Sequence, residues 1–115
     1  MSNEDIRSLA QLAGLVADRD LAALARVRVQ MASIRQCIHD LRTSHQVSGT
    51  DHPSDPAFLS GAHQRWAAWK ETELRRLSSS LAKCAVEEDD LRKTAAKAYG
   101  NQIALEALLR EGPLL

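Results

Sequence analysis

Aromatic side chains are nearly missing: Phe58, Trp66, Trp69 and Tyr99 are the only ones in 115 residues. Without bulky anchors a thick globular core has little to form around, whereas a narrow Ala/Leu seam between two helices needs none. Glycine and proline number only 5 and 3. The remaining bias toward Ala, Leu, Arg, Glu and Ser favours long helices and coiled coils over a globular α/β domain. No run of about 18 apolar residues occurs, so nothing in the sequence reads as a membrane span. The start, Met1-Ser2-Asn3-Glu4-Asp5, is acidic and has neither the basic region nor the apolar stretch of a signal peptide. A cytoplasmic protein is expected, and Cys37 and Cys84 then default to free thiols. Excess charge of either sign is also absent. Fifteen basic residues balance fifteen acidic ones, so there is no bulk attraction to nucleic acid or to an anionic membrane.

What is present is helical periodicity over the length of one domain. Ser2 with Asp5 reads as a capping box, and Glu4 and Asp5 suit a helix N-terminus. From there apolar residues recur at threes and fours: Ile6, Leu9, Ala13, Val16, then Leu24, Val27, Met31, Ile34, Ile38 and Leu41. The ladder also passes through Asp20 and His45. The step Val16–Asp20–Leu24 is four plus four, a stutter that locally unwinds a supercoil. The pattern stops near Val47, with Gly49 as a C-terminal left-handed residue. Pro53 and Pro56 forbid a continuous helix, and Asp55 with Pro56 suits an N-cap and first helical position. The second ladder runs through Leu59, Ala62, Trp66, Leu74, Leu77, Leu81, Cys84, Glu88, Leu91, Ala95, Ala98, Gln102, Leu105 and Leu109. Its own stutter is Trp66–Lys70–Leu74. Gly100-Asn101 weakens the helix locally, and Gly112-Pro113 ends it.

These signals predict an all-α fold, a two-helix antiparallel coiled-coil hairpin in a single domain over residues 1–115. Its helices cover about 4–46 and about 57–111, joined by a bend over about 47–56. At 1.5 Å per residue they are about 65 and 80 Å long. Pairing across the bend places residues whose numbers sum to about 104 opposite each other, Leu24 meeting the Ser79–Leu81 region. The last turns of the second helix then overhang the first. A four-helix fold broken at the two stutters is the competing arrangement.

Catalytic, cofactor and metal sites are not expected. There is no HxxxH, CxxC, HExxH, GxSxG or Gly-rich phosphate loop. His39, His45, His52 and His63 cluster around the bend, His39 and His63 as cross-hairpin neighbours, yet they lack the spacing of a zinc site. Cys37 falls opposite about residue 67, far from Cys84, so the two do not form a disulfide. Cys84 is on the seam, a small hydrophobe. Glu87-Glu88-Asp89-Asp90 is a charge run that reads as a self-paired face, with Glu88–Arg92 and Asp89–Lys93 pairs, or as an acidic docking patch.

Six residues are candidates for partner binding. In the expected register Arg26 and Arg28 lie near Arg75 and Arg76, with Arg35 and Lys70 extending the patch. Either a partner relieves this like charge, or the arginine stems cover the seam. Trp66 and Trp69, with Phe58, plug the hairpin tip or form an anchor for a protein partner. A lone hairpin also leaves Ala10, Ala17, Ala67, Ala85, Val86, Ile103 and Leu108 incompletely covered, which self-association into a homo-oligomer would remedy.

The second helix, Arg65-Trp66-Ala67-Ala68-Trp69 through Leu74, Leu77 and Leu81 to Ala95-Ala96-Lys97-Ala98-Tyr99-Gly100 and Ala104-Leu105-Glu106-Ala107-Leu108, resembles the FliJ-like family of flagellar and type III secretion export stalk proteins. Members of that family are small cytoplasmic two-helix coiled coils, similar in architecture to the coiled-coil stalk of the rotary ATP synthase gamma subunit. The resemblance implies a non-enzymatic protein that binds within an export ATPase ring, contacts the export gate and handles empty export chaperones. It carries over no individual site residue.

Overall fold

Ser2 opens the first helix by a reciprocal cap. The Asp5 amide donates to the Ser2 hydroxyl at 3.2 Å, and the Ser2 amide donates to the Asp5 carboxylate at 3.3 Å. Two orphan donors of the helix start are thereby satisfied, as the Ser-x-x-Asp spacing predicts. The computed structural model describes residues 2–44 and 61–111. They form two helices, α1 over Asn3–Thr43 and α2 over Ala62–Glu111, with no strand among the described residues. The fold is the all-α two-helix antiparallel hairpin that the ladders predict. Both helices are unbroken, so the four-helix alternative does not apply to the described residues.

Helix α2 begins five residues later than its sequence suggests. Gly61 stands just before it in the left-handed region, at φ 83°, and its carbonyl accepts the Arg65 amide at 3.1 Å. A backbone that must adopt positive φ at a helix entrance selects glycine. The expected cap at Asp55 and Pro56, the ladder position Leu59, and the stop signals at Gly49 and Gly112-Pro113 lie outside the described residues.

The chain divides into two compact units, one of residues 1–29 with 85–115 and one of residues 30–84. In the first unit Gly14 approaches Gln102 and Arg28 bonds Glu88. Both pairs sum to 116. Ile6, Ala10, Ala17, Asp20, Leu24 and Val27 are buried there on α1, with Ala95 and Ala98 on α2. In the second unit the Lys70 ammonium reaches the Ser44 carbonyl at 3.4 Å, and Arg35 and Ile38 flank one cavity with Ser78 and Leu81. Met31, Ile38, Leu77 and Cys84 are its buried side chains.

The register of each unit therefore differs from the expected sum of about 104 by some twelve residues, about 18 Å of helix. The expectation assumed that the chain turns symmetrically about its proline-rich bend. At the observed register Glu111 comes level with Asp5, so the last turns of α2 do not overhang α1. Among the described residues, it is instead the turns at the start of α2, before Lys70, that have no counterpart on α1.

A second correction concerns which residues line the seam of α1. Ala17 is 1% exposed, whereas Val16 is 39% exposed and Leu9 is also exposed. The line of buried residues, with Ala13, Ile34 and Leu41 half-buried, is Ile6–Ala10–Ala13–Ala17–Asp20–Leu24–Val27–Met31–Ile34–Ile38–Leu41, an unbroken alternation of four and three. The expected stutter at Val16–Asp20–Leu24 is absent. Regular heptad spacing keeps one stripe facing the partner helix, and here it runs through small alanines rather than the larger side chains beside them. On α2 the ladder from Leu74 to Leu109 is half-buried or buried at every position.

Candidate functional site

The described residues hold no group of three or more His, Cys, Asp or Glu side chains placed to bind a metal. Cys84 is buried on the seam and Cys37 is exposed, both as free thiols. Cys37 lies near Arg76, not opposite residue 67. His39 borders a cavity with Ser78 and Leu81. His63 packs its ring against Trp66 with centroids 6.3 Å apart. The expected His39–His63 neighbours are thus not brought together in this register. His45, His52 and Phe58 lie outside the described residues.

The arginines marked as candidates each meet an acid once the register is known, except Arg26. Arg28 crosses to Glu88, its Nε donating at 3.1 Å. Arg75 pairs with Glu71 at 3.5 Å and Arg76 with Glu73 at 2.8 Å along α2. The Glu73 hydrogen bond and charge raise the Arg76 pKa above its ordinary value. The register brings Arg26 and Arg28 beside the acidic run of residues 87–90, so the like-charge cluster with Arg75 and Arg76 does not arise from it. Sequence reasoning missed the Arg28–Glu88 pair because the correct offset between the ladders was needed to see it.

Two of the four acids in the run are paired, only Asp89 with neighbours on its own helix. Asp89 accepts from Arg92 at 2.8 Å and pairs with Lys93 at 2.9 Å, and these two bonds hold its carboxyl below the usual carboxylate range. Glu88 goes to Arg28 rather than Arg92. Glu87 and Asp90 have no ion pair among the described residues.

Trp66 is half-buried, with the Lys70 ammonium 5.1 Å from its ring centroid. That cation–π contact and the bond to Ser44 explain how a lysine occupies the stutter position on the seam: its stem is sheltered and its charge is satisfied at both sides. Trp69 stays 53% exposed.

The exposed large apolar side chains are unevenly placed. In the unit of residues 1–29 with 85–115 they are Leu9, Leu12, Leu15, Val16, Leu21 and Val29 on α1, and Val86, Tyr99 and Ile103 on α2. Trp69 is the one such residue of the unit of residues 30–84, among the described residues. Leu9, Leu12 and Val16 fall at i, i+3 and i+7, a stripe beside the seam. Of the residues expected to be incompletely covered, Ala10 and Ala17 are buried, Leu108 is half-buried, and Ala67, Ala85, Val86 and Ile103 are exposed. No described helix is long and apolar enough to cross a membrane. Comparison with family models, curated proteins and solved structures gives no match.

Proposed function

We propose that this chain is a non-enzymatic coiled-coil adaptor that acts in the cytoplasm by presenting its helical faces to protein partners, as an export stalk does. The observation that supports this reading is the concentration of exposed apolar residues in the unit of residues 1–29 with 85–115. Contiguous apolar side chains on a helix face are a protein-binding feature, because their transfer from water is the main driving force of association. In the rotary-stalk analogy the region bearing both chain termini enters the ATPase ring, and it is this unit that carries Leu9, Leu12, Leu15, Tyr99 and Ile103.

The test is binding of the purified chain to an export ATPase, wild type against a Leu12→Ser, Leu15→Ser double variant. The expected result is wild-type binding that the double variant loses at unchanged helix content. Absence of wild-type binding sinks the stalk reading. The Leu9–Leu12–Val16 stripe favours a second reading, a homo-oligomer in which another copy covers it. A tight oligomer in sedimentation, together with no affinity for an export ATPase, selects that reading.

A further inference from the structure

In the unit of residues 30–84 two adjoining cavities of about 310 and 410 Å³ share Arg42 and Ser78 in their walls. Their linings combine seam side chains, Ile38, Leu74 and Leu81, with basic ones, Arg35, Arg42 and Arg75. Arg35 and Arg42 have no ion-pair partner among the described residues. They are seven residues apart on α1, one heptad, about 10.5 Å along the helix. His39 lies between them. Glu71 is the acid in this groove, and Arg75 already engages it at 3.5 Å.

We propose that this groove is the docking site for an acidic amphipathic helix of a protein partner, which lies along it as a third strand of the coiled coil. The cleft between two paired helices has the shape of a helix surface, and knobs of a third helix can enter its holes. The apolar floor sets the stripe the occupant presents. The rim sets its flanks: carboxylates a heptad apart match Arg35 and Arg42, and guanidinium forks bind carboxylates with high directionality. Charge complementarity decides among occupants. A nucleic-acid backbone would gain nothing from Ile38, Leu74 and Leu81, and the balanced net charge of the chain gives it no long-range pull. The inference rests on the reading of this chain as a protein-binding adaptor and assigns a partner chemistry to a surface distinct from the apolar stripe.

The test uses the full chain and two fluorescent helical peptides about four heptads long. Both carry Leu at the core positions, one with Glu and the other with Lys at the flanks. Anisotropy titrations are expected to show binding of the Glu peptide and none of the Lys peptide. An Arg35→Glu, Arg42→Glu variant should bind the Glu peptide at least about tenfold more weakly and gain affinity for the Lys peptide. If circular dichroism shows that this variant has lost helix, Arg35→Ala, Arg42→Ala takes its place, with the same loss for the Glu peptide. Equal binding of both peptides, no binding of the Glu peptide, or unchanged affinity in a folded variant overturns the proposal. So does sedimentation showing that reversal of these arginines dissociates a wild-type oligomer, because the occupant is then a second copy. The Leu12→Ser, Leu15→Ser variant keeps the groove, so peptide binding there reports on this site apart from the ATPase-binding test.

Discussion

Asp20 is the one charged residue buried on the seam among the described residues, at 7% exposure. Its partner is its chain neighbour Arg19, which reaches it through two nitrogens at 3.1 and 3.2 Å. Arg19 itself stays 71% exposed on its side chain, so much of the attraction is screened while the carboxylate bears the desolvation. Replacing a buried ion by a hydrophobe commonly stabilises. Asp20→Leu is therefore expected to raise unfolding free energy by about 1–3 kcal/mol, whereas Arg19→Ala, which strands the carboxylate, lowers it. Urea titrations of the two variants moving in the same direction would contradict this account of the pair. Gly100 is a simpler case. A Cβ added there meets nothing within 4 Å, and the helix runs through it. Gly100→Ala should stabilise by about 0.5–1 kcal/mol through chain entropy alone, read as a shift in the denaturant midpoint. The sequence marked both positions, Asp20 as a polar rung and Gly100 as a weak point, but only the structure shows that one is buried and the other open.

Among the elements, the helices and the ladder of α2 were legible because Leu74 through Leu109 repeats without ambiguity. The ladder of α1 is ambiguous in its first turns, where two apolar lines run side by side. Leu9 and Val16 are larger than Ala10 and Ala17, and size drew the seam toward them at the cost of an apparent stutter. The unbroken four-three spacing through the alanines was the better signal, since a straight stripe needs no local unwinding. Ala17→Leu is expected to overpack the seam and cost about 1–3 kcal/mol, while Val16→Ser changes stability by less than about 0.5 kcal/mol. Thermal melts with the reverse order would restore Val16 to the core. The offset between helices was not legible at all. The observed offset places Arg28 against Glu88 and Gly14 beside Gln102, a pairing that neither ladder announces by itself. Crosslinking reads the offset directly. In a background lacking Cys37 and Cys84, Gly14→Cys with Gln102→Cys should join through a short bis-thiol reagent, and Gly14→Cys with Asp90→Cys should not, since twelve residues correspond to about 18 Å.

For the whole molecule, surface chemistry is divided between the two units. The unit of residues 1–29 with 85–115 has apolar faces and three ion pairs on its acidic run, Arg28 with Glu88, and Asp89 with Arg92 and Lys93. The unit of residues 30–84 has Arg35 and Arg42, without an ion pair among the described residues, beside Ile38, Leu74 and Leu81. Two surfaces of different chemistry suit an adaptor with two kinds of contact, and their salt responses should differ in sign. Apolar contacts strengthen or hold as ionic strength rises, because excluded salts favour burial. Contacts through exposed arginines weaken as the Debye length shortens from about 10 Å at 0.1 M salt to about 3 Å at 1 M. Any association through Leu9, Leu12, Leu15 and Val16 should therefore persist in 1 M sodium sulfate and disappear in the Leu12→Ser, Leu15→Ser variant. Because both leucines are exposed, that variant should melt within about 0.5 kcal/mol of wild type, so a loss of association cannot be ascribed to unfolding. Capture of an acidic helix by Arg35 and Arg42 should weaken in the same salt and be indifferent to the leucine changes. Sedimentation of wild type and variant across a salt series, beside the peptide titration, checks both responses. If the leucine variant associates as strongly as wild type, the apolar stripe is not the surface through which this molecule assembles.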